Sequence, residues 1–371
     1  MNKPESQRAA RKRRIRVLFV VSAMGFGHLQ RSLPLIRRLL ADGAGLVLVS
    51  DGNALVALRR ELAGHEAVEF ISFPDYPPMQ RGAGFAHYWH FLTDFVCFMR
   101  RLRQEKAFTD RLVAETAPDI IIADGRFGFH AAHVPSFLIC HQIRVILPRL
   151  LRPFQLLADM IQFNLLRRFD RVLVPDFAPA EACLAGKLSH NWIARLLKPA
   201  YVGHLSSARH KEGEKNIDFL FITGGYLPGP KAEWEAWIHR FGREHAAREI
   251  VSIAGVMGHD AAWPETIKRH DFVLGADRDD LMNRARSIIA RAGYTTIMDL
   301  VTLRQDAILI PTPGMTEQIH LAKRYPRVEI GGKTGYVFRY ADLPAAIRVW
   351  QVEATLKNIL GEIGWDRHST V

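Results

Sequence analysis

The sequence reads as an α/β protein built from two Rossmann-like domains that face each other across a cleft. Three observations predict this. Short Val/Ile/Leu/Phe runs alternate with amphipathic stretches along the whole chain. The alternation stops at a polar stretch, Ser206 to Asn216, and then starts again. The first apolar run of each half also leads into a glycine-bearing turn, Gly25-Phe-Gly27 in one half and Gly224-Gly225 in the other. The 371 residues exceed what one core normally organises and divide into two domains of ordinary size, 1–205 and 206–371.

In the first half the expected strands are Arg16–Val21, Leu46–Ser50, Val68–Ser72, Asp119–Ala123, Phe137–Cys140 and Arg171–Val174. Most are unbroken apolar runs, as parallel strands covered on both faces require. Helical patterns fall between them at Leu29–Ala41 and His87–Glu115. In the second half strands are expected at Phe219–Thr223, Glu249–Ala254, Phe272–Leu274, Ser287–Ala290 and Ala307–Ile310. A helix near Ala232–His245 follows the first of these. A last helix, about Leu343–Leu360, is placed to cross back onto the first domain.

Composition narrows the class. With 48% hydrophobic and 24% charged residues the chain is globular. Cys97, Cys140 and Cys183 are odd in number and widely spaced, which suits neither a disulfide framework nor a metal site and fits a reducing, cytoplasmic setting. No apolar run nears the roughly 20 residues that span a bilayer. The basic Arg11-Lys-Arg-Arg ahead of Val17–Val21 resembles a signal peptide, but Gly25-Phe-Gly-His follows instead of a cleavage site, so a buried first strand is expected.

Charge is uneven. Residues 1–205 carry 28 Lys and Arg against 17 Asp and Glu, a net +11, whereas 206–371 carry 22 against 21. Aromatic and aliphatic residues interleave with arginine at Phe85–Arg103, Leu147–Phe154 and Phe163–Arg168. That suits peripheral contact with an anionic membrane surface, on its inner face for a cytoplasmic protein. No nucleic-acid-binding motif is present, and a nucleic-acid partner is not expected.

Three segments carry chemistry. Ser22-Ala-Met-Gly-Phe-Gly-His28-Leu-Gln-Arg31 follows the first strand and opens a helix. Its N–H groups could take an anion, and His28 could act as a general base or simply cap the helix. Gln30 occupies the third glycine position of the dinucleotide pattern, which disfavours such a site. Phe221-Ile-Thr-Gly224-Gly225 is the matching turn of the second half. The strongest segment is Arg291-Ala-Gly293-Tyr294-Thr295-Thr296-Ile-Met-Asp299: a strand end, a turn and a helix start, with amides and hydroxyls placed for a diphosphate. Pro311-Thr-Pro-Gly314-Met-Thr316-Glu317-Gln318 then sets polar side chains at a neighbouring helix start, suited to sugar hydroxyls. Asp277-Arg-Asp-Asp280 reads as a helix opening on a solvated face, not a metal site; none is expected.

Arg-Ala-Gly-x-x-Thr-x-x-Asp, a strand ending in Ile-Pro-x-Pro-Gly, and Thr-Glu-Gln resemble the donor-site motifs of GT-B glycosyltransferases. They are most similar to the family of the lipid-linked N-acetylglucosaminyltransferase of peptidoglycan synthesis (glycosyltransferase family 28-like). The likeness is motif-deep mainly from Asp271 to Ala322. It implies an inverting, metal-independent transferase with no cofactor, using a UDP-sugar and a glycan or lipid-linked acceptor of the bacterial cell envelope. It implies that Gly293, Tyr294 and Thr295 hold the diphosphate, with Arg291 and Thr296 beside them. Asp299 would bind the ribose, Glu317 and Gln318 the sugar near Gly314 and Thr316, and Leu274-Gly275 the uracil edge; Gly225 also belongs to the donor side. His28 is the implied base, or a group that stabilises the developing charge, with Gly25, Gly27 and Asp124 on the acceptor side. Departures point to a different acceptor: Asp299 replaces a Glu, Tyr294 a small residue, Leu321 an amide, and the acceptor loop is reduced to Gly25-Phe-Gly27. A UDP-sugar 2-epimerase or hydrolase of the same architecture, drawing on Asp124, Glu317 and His141, is an alternative. A non-catalytic nucleotide-sugar binder is another.

Overall fold

The computed structural model describes residues 14–77, 85–224, 228–255 and 263–365, with side chains at 85–92 and 228–230 excluded. The first sheet holds β1 (Arg16–Val21), β2 (Gly45–Ser50), β3 (Val68–Ser72), β4 (Ile120–Asp124), β5 (Ser136–Ile139), β6 (Arg171–Val174) and β7 (Ala200–Tyr201). Its order is β3-β2-β1-β4-β5-β6-β7, all parallel. Five helices connect these strands: α1 (Phe26–Ala41), α2 (Gly52–Glu61), α3 (Phe85–Thr116), α4 (Gln155–Leu166) and α5 (Trp192–Leu197). Val17 to Val21 are all completely buried because helices cover both faces of the sheet, and this explains the unbroken apolar run.

The second sheet holds β8 (Ile217–Ile222), β9 (Ile250–Ile253), β10 (Ile267–His270), β11 (Ala285–Ala290), β12 (Ala307–Leu309), β13 (Arg327–Ile330) and β14 (Lys333–Phe338), in the order β10-β9-β8-β11-β12-β14-β13. Its helices are α6 (Pro228–Glu244), α7 (Gly275–Arg284), α8 (Tyr294–Leu303), α9 (Thr316–Ala322), α10 (Ala345–Arg348) and α11 (Val352–Glu362). Trp234 and Trp237 of α6 are buried against Phe221 and Phe241 on one face. Removing either indole would cost about 3–5 kcal/mol. Helices α7 and α8 close the other face.

Two expectations are corrected. Phe272–Leu274 is not a strand: β10 ends at His270, and Phe272 packs its ring 4.3 Å from Phe26 of α1 while Leu274 rests on the first core. The stretch is apolar because it joins the two halves. The last helix is broken between α10 and α11, where Trp350 turns in to bond Thr355 and pack at Gly203. Any Cβ on Gly203 would lie 2.3 Å from the Trp350 Nε1, and Gly203 itself has φ +93. Beyond that break, α11 lies on the first core through Leu356, Ile359, Leu360 and Ile363. The antiparallel pair β13–β14, turned by Gly331 and Gly332 with φ 52 and 73, was not anticipated.

The chain between the sheets is only partly a loose linker. Val202 to Ser206 are buried against α8, with Leu205 N–H directed at the Met298 sulfur.

Candidate functional site

The C-terminal ends of β1 and β4 are neighbours in a parallel register that pairs Val21 with Asp124. The turns that follow them therefore emerge together. The first turn bends at Gly25, φ 81, which is the N-cap of α1 and has no side-chain cap bond. His28, on the first turn of the helix, places Nδ1 2.9 Å from the Asp124 carboxylate. Asp124 is completely buried; it also accepts from Ser32 Oγ at 2.8 Å and is paired with Arg31. Burial alone would raise its pKa, but Arg31 and His28 outweigh this and hold the carboxyl well below the usual range.

Gly125 makes this approach possible. Its φ is +73, and a Cβ there would lie 2.7 Å from His28 Cε1. The preceding loop is fixed from β3: Asp75 accepts from the Ser22 hydroxyl at 2.8 Å and from the Ala23 N–H.

On the second sheet, α8 starts at the N-cap Gly293, again without a side-chain cap bond and without an acidic residue in the first turn. The first turns of α1 and α8 meet: a Cβ on Gly27 would come 2.9 Å from Thr295 Oγ1. Two positive helix ends so close repel one another and favour an anion between or beside them. Gly293 has an ordinary φ of −76, and among the described residues a Cβ there would find only Thr296 Oγ1, at 3.6 Å.

Glu317, on the first turn of α9, crosses to the other half: its carboxylate is 2.9 Å from His141 Nε2. The His141 ring stacks on Tyr294 at 4.2 Å and 8°. Gly314, φ 82, turns the loop ahead of α9. Thr316 Oγ1 is buried and has no hydrogen-bond partner among the described residues.

Several expected contacts are corrected. The Tyr294 side chain takes no part in a diphosphate contact, being 2% exposed with its hydroxyl donating to Pro175 O at 2.7 Å, and only its N–H at the start of α8 is placed for one. Asp299 does not face a ribose, being fully buried, 2.7 Å from Arg278 and taking the Ser206 hydroxyl. Gln318 uses its Oε1 on its own loop, accepting Thr312 N–H at 2.8 Å. Arg291 lies buried over Trp234, 4.1 Å from the ring, with Nη1 3.3 Å from Pro311 O, and burial lowers its pKa to about 10. Leu274 packs on the first core, and Gly275, φ +55, starts α7 near Glu61. Gly225 lies outside the described residues. The Asp277–Asp280 stretch is only half solvated, because Asp279 is buried and accepts the Arg209 N–H.

Sequence reasoning gave no role to Arg31, Asp75 or Gly125. Arg31 was legible as the residue one turn beyond His28 on the same helix face. Gly125 was legible as a glycine at the very end of Ile-Ile-Ile-Ala-Asp. One group of three side chains among the described residues could approach a metal: Asp176, Cys183 and His190. Asp176 is, however, saturated by the N–H groups of Phe177, Leu184 and Ala185 and by Ser189 Oγ, so it serves to tie the 177–190 loop.

No family model matches the chain, and no curated protein is similar enough to count as a match. Solved structures do match. A UGT from Arabidopsis thaliana, solved with UDP-L-rhamnose, aligns at TM-score 0.54 and 14% identity over 95% of this chain and 94% of that one. The glycosyltransferase SnogD from Streptomyces nogalater aligns at 0.51 and 15% over 95% of each. A protein described as a UDP-N-acetylglucosamine 2-epimerase from Listeria monocytogenes aligns at 0.51 and 10% over 96% and 90%.

The fold is GT-B. At these identities the likeness speaks for architecture only. In GT-B terms, the His28–Asp124 pair lies at the C-terminal ends of central strands of the first sheet, and α8 and α9 start beyond those of the second.

Proposed function

We propose that the chain is an inverting glycosyltransferase that moves a sugar from a UDP-sugar to an acceptor, with 206–371 the donor half and 1–205 the acceptor half. One observation carries this reading. An imidazole held by a buried carboxylate stands on the first turn of α1, which meets the first turn of α8, a helix start with no side-chain cap.

With the His28 Nδ1 proton bonded to Asp124, Nε2 can take the proton of an acceptor hydroxyl. That oxygen attacks the anomeric carbon from one side. The bond from the carbon to the diphosphate oxygen breaks on the other, with inversion, and UDP leaves. Negative charge builds on the leaving diphosphate, where the α8 amides and the Thr295 and Thr296 hydroxyls can stabilise it; the reading asks for no metal ion. Glu317 is the sugar-side carboxylate, and Thr316 Oγ1 an unclaimed polar group beside it. The corrected residues Tyr294, Asp299 and Gln318 support this wall from behind.

The acceptor reading draws on the surface of the first half. Leu150, Phe154, Leu156, Leu157 and Met160 are each at least 50% exposed along one short stretch, with exposed Arg149 and Arg152 among them. Apolar side chains ringed by arginine favour an anionic bilayer surface, which suits a lipid-linked acceptor and a peripheral, cytoplasmic-face location. No helix among the described residues is long and apolar enough to cross a membrane.

The 2-epimerase or hydrolase reading keeps one support: Asp124, His141 and Glu317 do converge in a single network. Turnover separates the readings. A panel of UDP- and dTDP-sugars ranked by thermal shift identifies the donor. UDP release that requires an acceptor supports transfer, release with an isomerised sugar supports epimerisation, and binding without turnover leaves a sensor. For transfer, His28→Ala should lower kcat by about 10²–10⁴-fold while donor affinity holds; equal loss of both would reduce His28 to a helix cap.

A further inference from the structure

We infer that Arg31 is a positioning residue whose single guanidinium sets the tautomers of two histidines and so ties the His28 base to the Glu317 carboxylate of the opposite sheet. The roles of His28 and Glu317 rest on the transfer reading; the geometry does not.

The Arg31 side chain is 2% exposed. Its Nε lies 2.8 Å from Asp124 Oδ2, its Nη1 3.3 Å from His141 Nδ1 and its Nη2 2.9 Å from His28 Nδ1. A guanidinium can only donate. His141 Nδ1 must therefore accept, which puts that ring's proton on Nε2, 2.9 Å from the Glu317 carboxylate. His141 is thus a neutral donor to an ionised Glu317. The titration directions agree. Burial drives His141 below the ordinary imidazole value despite Glu317. Glu317 is pushed up by burial, yet His141, His28 and Arg31 hold it below the ordinary carboxylate value.

His28 is the residue with a choice. Its Nδ1 is 2.9 Å from Asp124 Oδ1 and 2.9 Å from Arg31 Nη2, and one nitrogen cannot donate to the first while accepting from the second. With the proton on Nδ1, Nε2 is a base. With Nδ1 accepting from Arg31, the same proton sits on Nε2 and the ring can only donate. Arg31 Nη2 also donates to Asp124 Oδ1, and the contact of Nη1 with His141 fixes the guanidinium in that orientation, which leaves His28 Nδ1 to donate to the same carboxylate. Losing that contact lets the guanidinium pivot so that Nη2 donates to His28 Nδ1 instead of Asp124, which disarms the base. Whatever occupies Glu317 therefore bears on the state of His28.

The test is nitrogen NMR of histidine-labelled full-length protein, in which protonated and bare ring nitrogens are distinguished, together with steady-state kinetics. In the parent protein, His141 should carry its proton on Nε2 and His28 on Nδ1. His141→Phe keeps a ring against Tyr294 while removing both nitrogens. It should move His28 toward the Nε2-protonated form and lower kcat about tenfold, with the donor KM within about threefold. Arg31→Lys keeps a cation beside Asp124 but lacks the fork, and should release the His141 tautomer. The inference is overturned if His141 carries its proton on Nδ1 in the parent, or if the His28 signals are the same in the parent and both variants. The spectra need no turnover, so a chain that transfers no sugar would sink the functional reading and leave the tautomer result to stand or fall by itself.

Discussion

Gly125→Ala tests the site most directly, because the structure fixes both its costs. The first is local. Gly125 sits at φ +73, where an L side chain costs about 1–2 kcal/mol, so stability should fall by that amount. The second is functional. The new methyl carbon would lie 2.7 Å from His28 Cε1 and 3.1 Å from Nδ1, with Ser22 Cβ at 3.4 Å on another side. The alanine is anchored in the chain between β4 and the next loop, so the imidazole must give way. Displacing it by much under 1 Å stretches the 2.9 Å contact with Asp124 beyond hydrogen-bond range. Misplacement on this scale costs about 10²-fold in turnover. UDP affinity should not change, since α8 and α9 belong to the other sheet. Urea unfolding gives the first number, UDP release under saturating donor the second, and calorimetry the third. A folded Gly125→Ala protein with kcat within a factor of two of the parent would refute the reasoning. So would a Gly125→Ala, His28→Ala double variant slower than His28→Ala alone, because the methyl is argued to act only through that ring.

Gly293→Val should leave the melting temperature nearly unchanged, because φ is −76 and among the described residues only Thr296 Oγ1 is near, while UDP affinity drops at least about tenfold by calorimetry. Unchanged affinity would remove α8 from the donor site. Asp279, raised from 3.8 to about 6 by burial, binds its proton more tightly folded than unfolded, so its contribution is fullest below pH 3.8 and is lost as pH rises through 6. Asp279→Asn should therefore stabilise the protein above pH 6, by at most about 3 kcal/mol, and not at pH 3.5; thermal melts across pH check the sign. Phe154→Ser with Leu157→Ser should leave the melt unaltered but reduce co-sedimentation with vesicles containing anionic lipid by about tenfold or more. Equal loss with neutral vesicles would point to apolar contact alone.

The fold was legible because parallel strands buried on both faces leave continuous apolar runs, and β1, β4, β6 and β11 all announced themselves this way. What misled was apolarity put to another use. Phe272-Val-Leu274 reads as a strand, yet it is the apolar seam between the halves, and sequence cannot distinguish burial within a sheet from burial between two. The β13–β14 hairpin escaped notice for the opposite reason: with few fully buried residues, it is an edge with no strong period. The C-terminal helix was foreseen as one piece because Trp350 continues a helical apolar pattern, whereas its indole is needed at Gly203.

The site shows the same limit at finer scale. Residue types at helix starts were readable, since helix N-termini have a local chemistry, and Gly25, His28, Gly293 and Glu317 lie at or beside such starts. Where each side chain points was not readable, because that depends on partners distant in sequence. Asp299 answers to Arg278 and Ser206, Tyr294 to Pro175 and His141, Gln318 to its own loop. These residues are buried supports of the wall, while Thr295, Thr296, Thr316 and Glu317 are nearer the open side. The same reasoning explains why Arg31 matters. A buried cation next to an anion site would ordinarily bind the ligand, but here its donors are already taken by Asp124 and two histidines. Its influence on chemistry must pass through the imidazoles. A substitution at Arg31 should therefore alter the pH dependence of turnover before it alters the affinity for UDP.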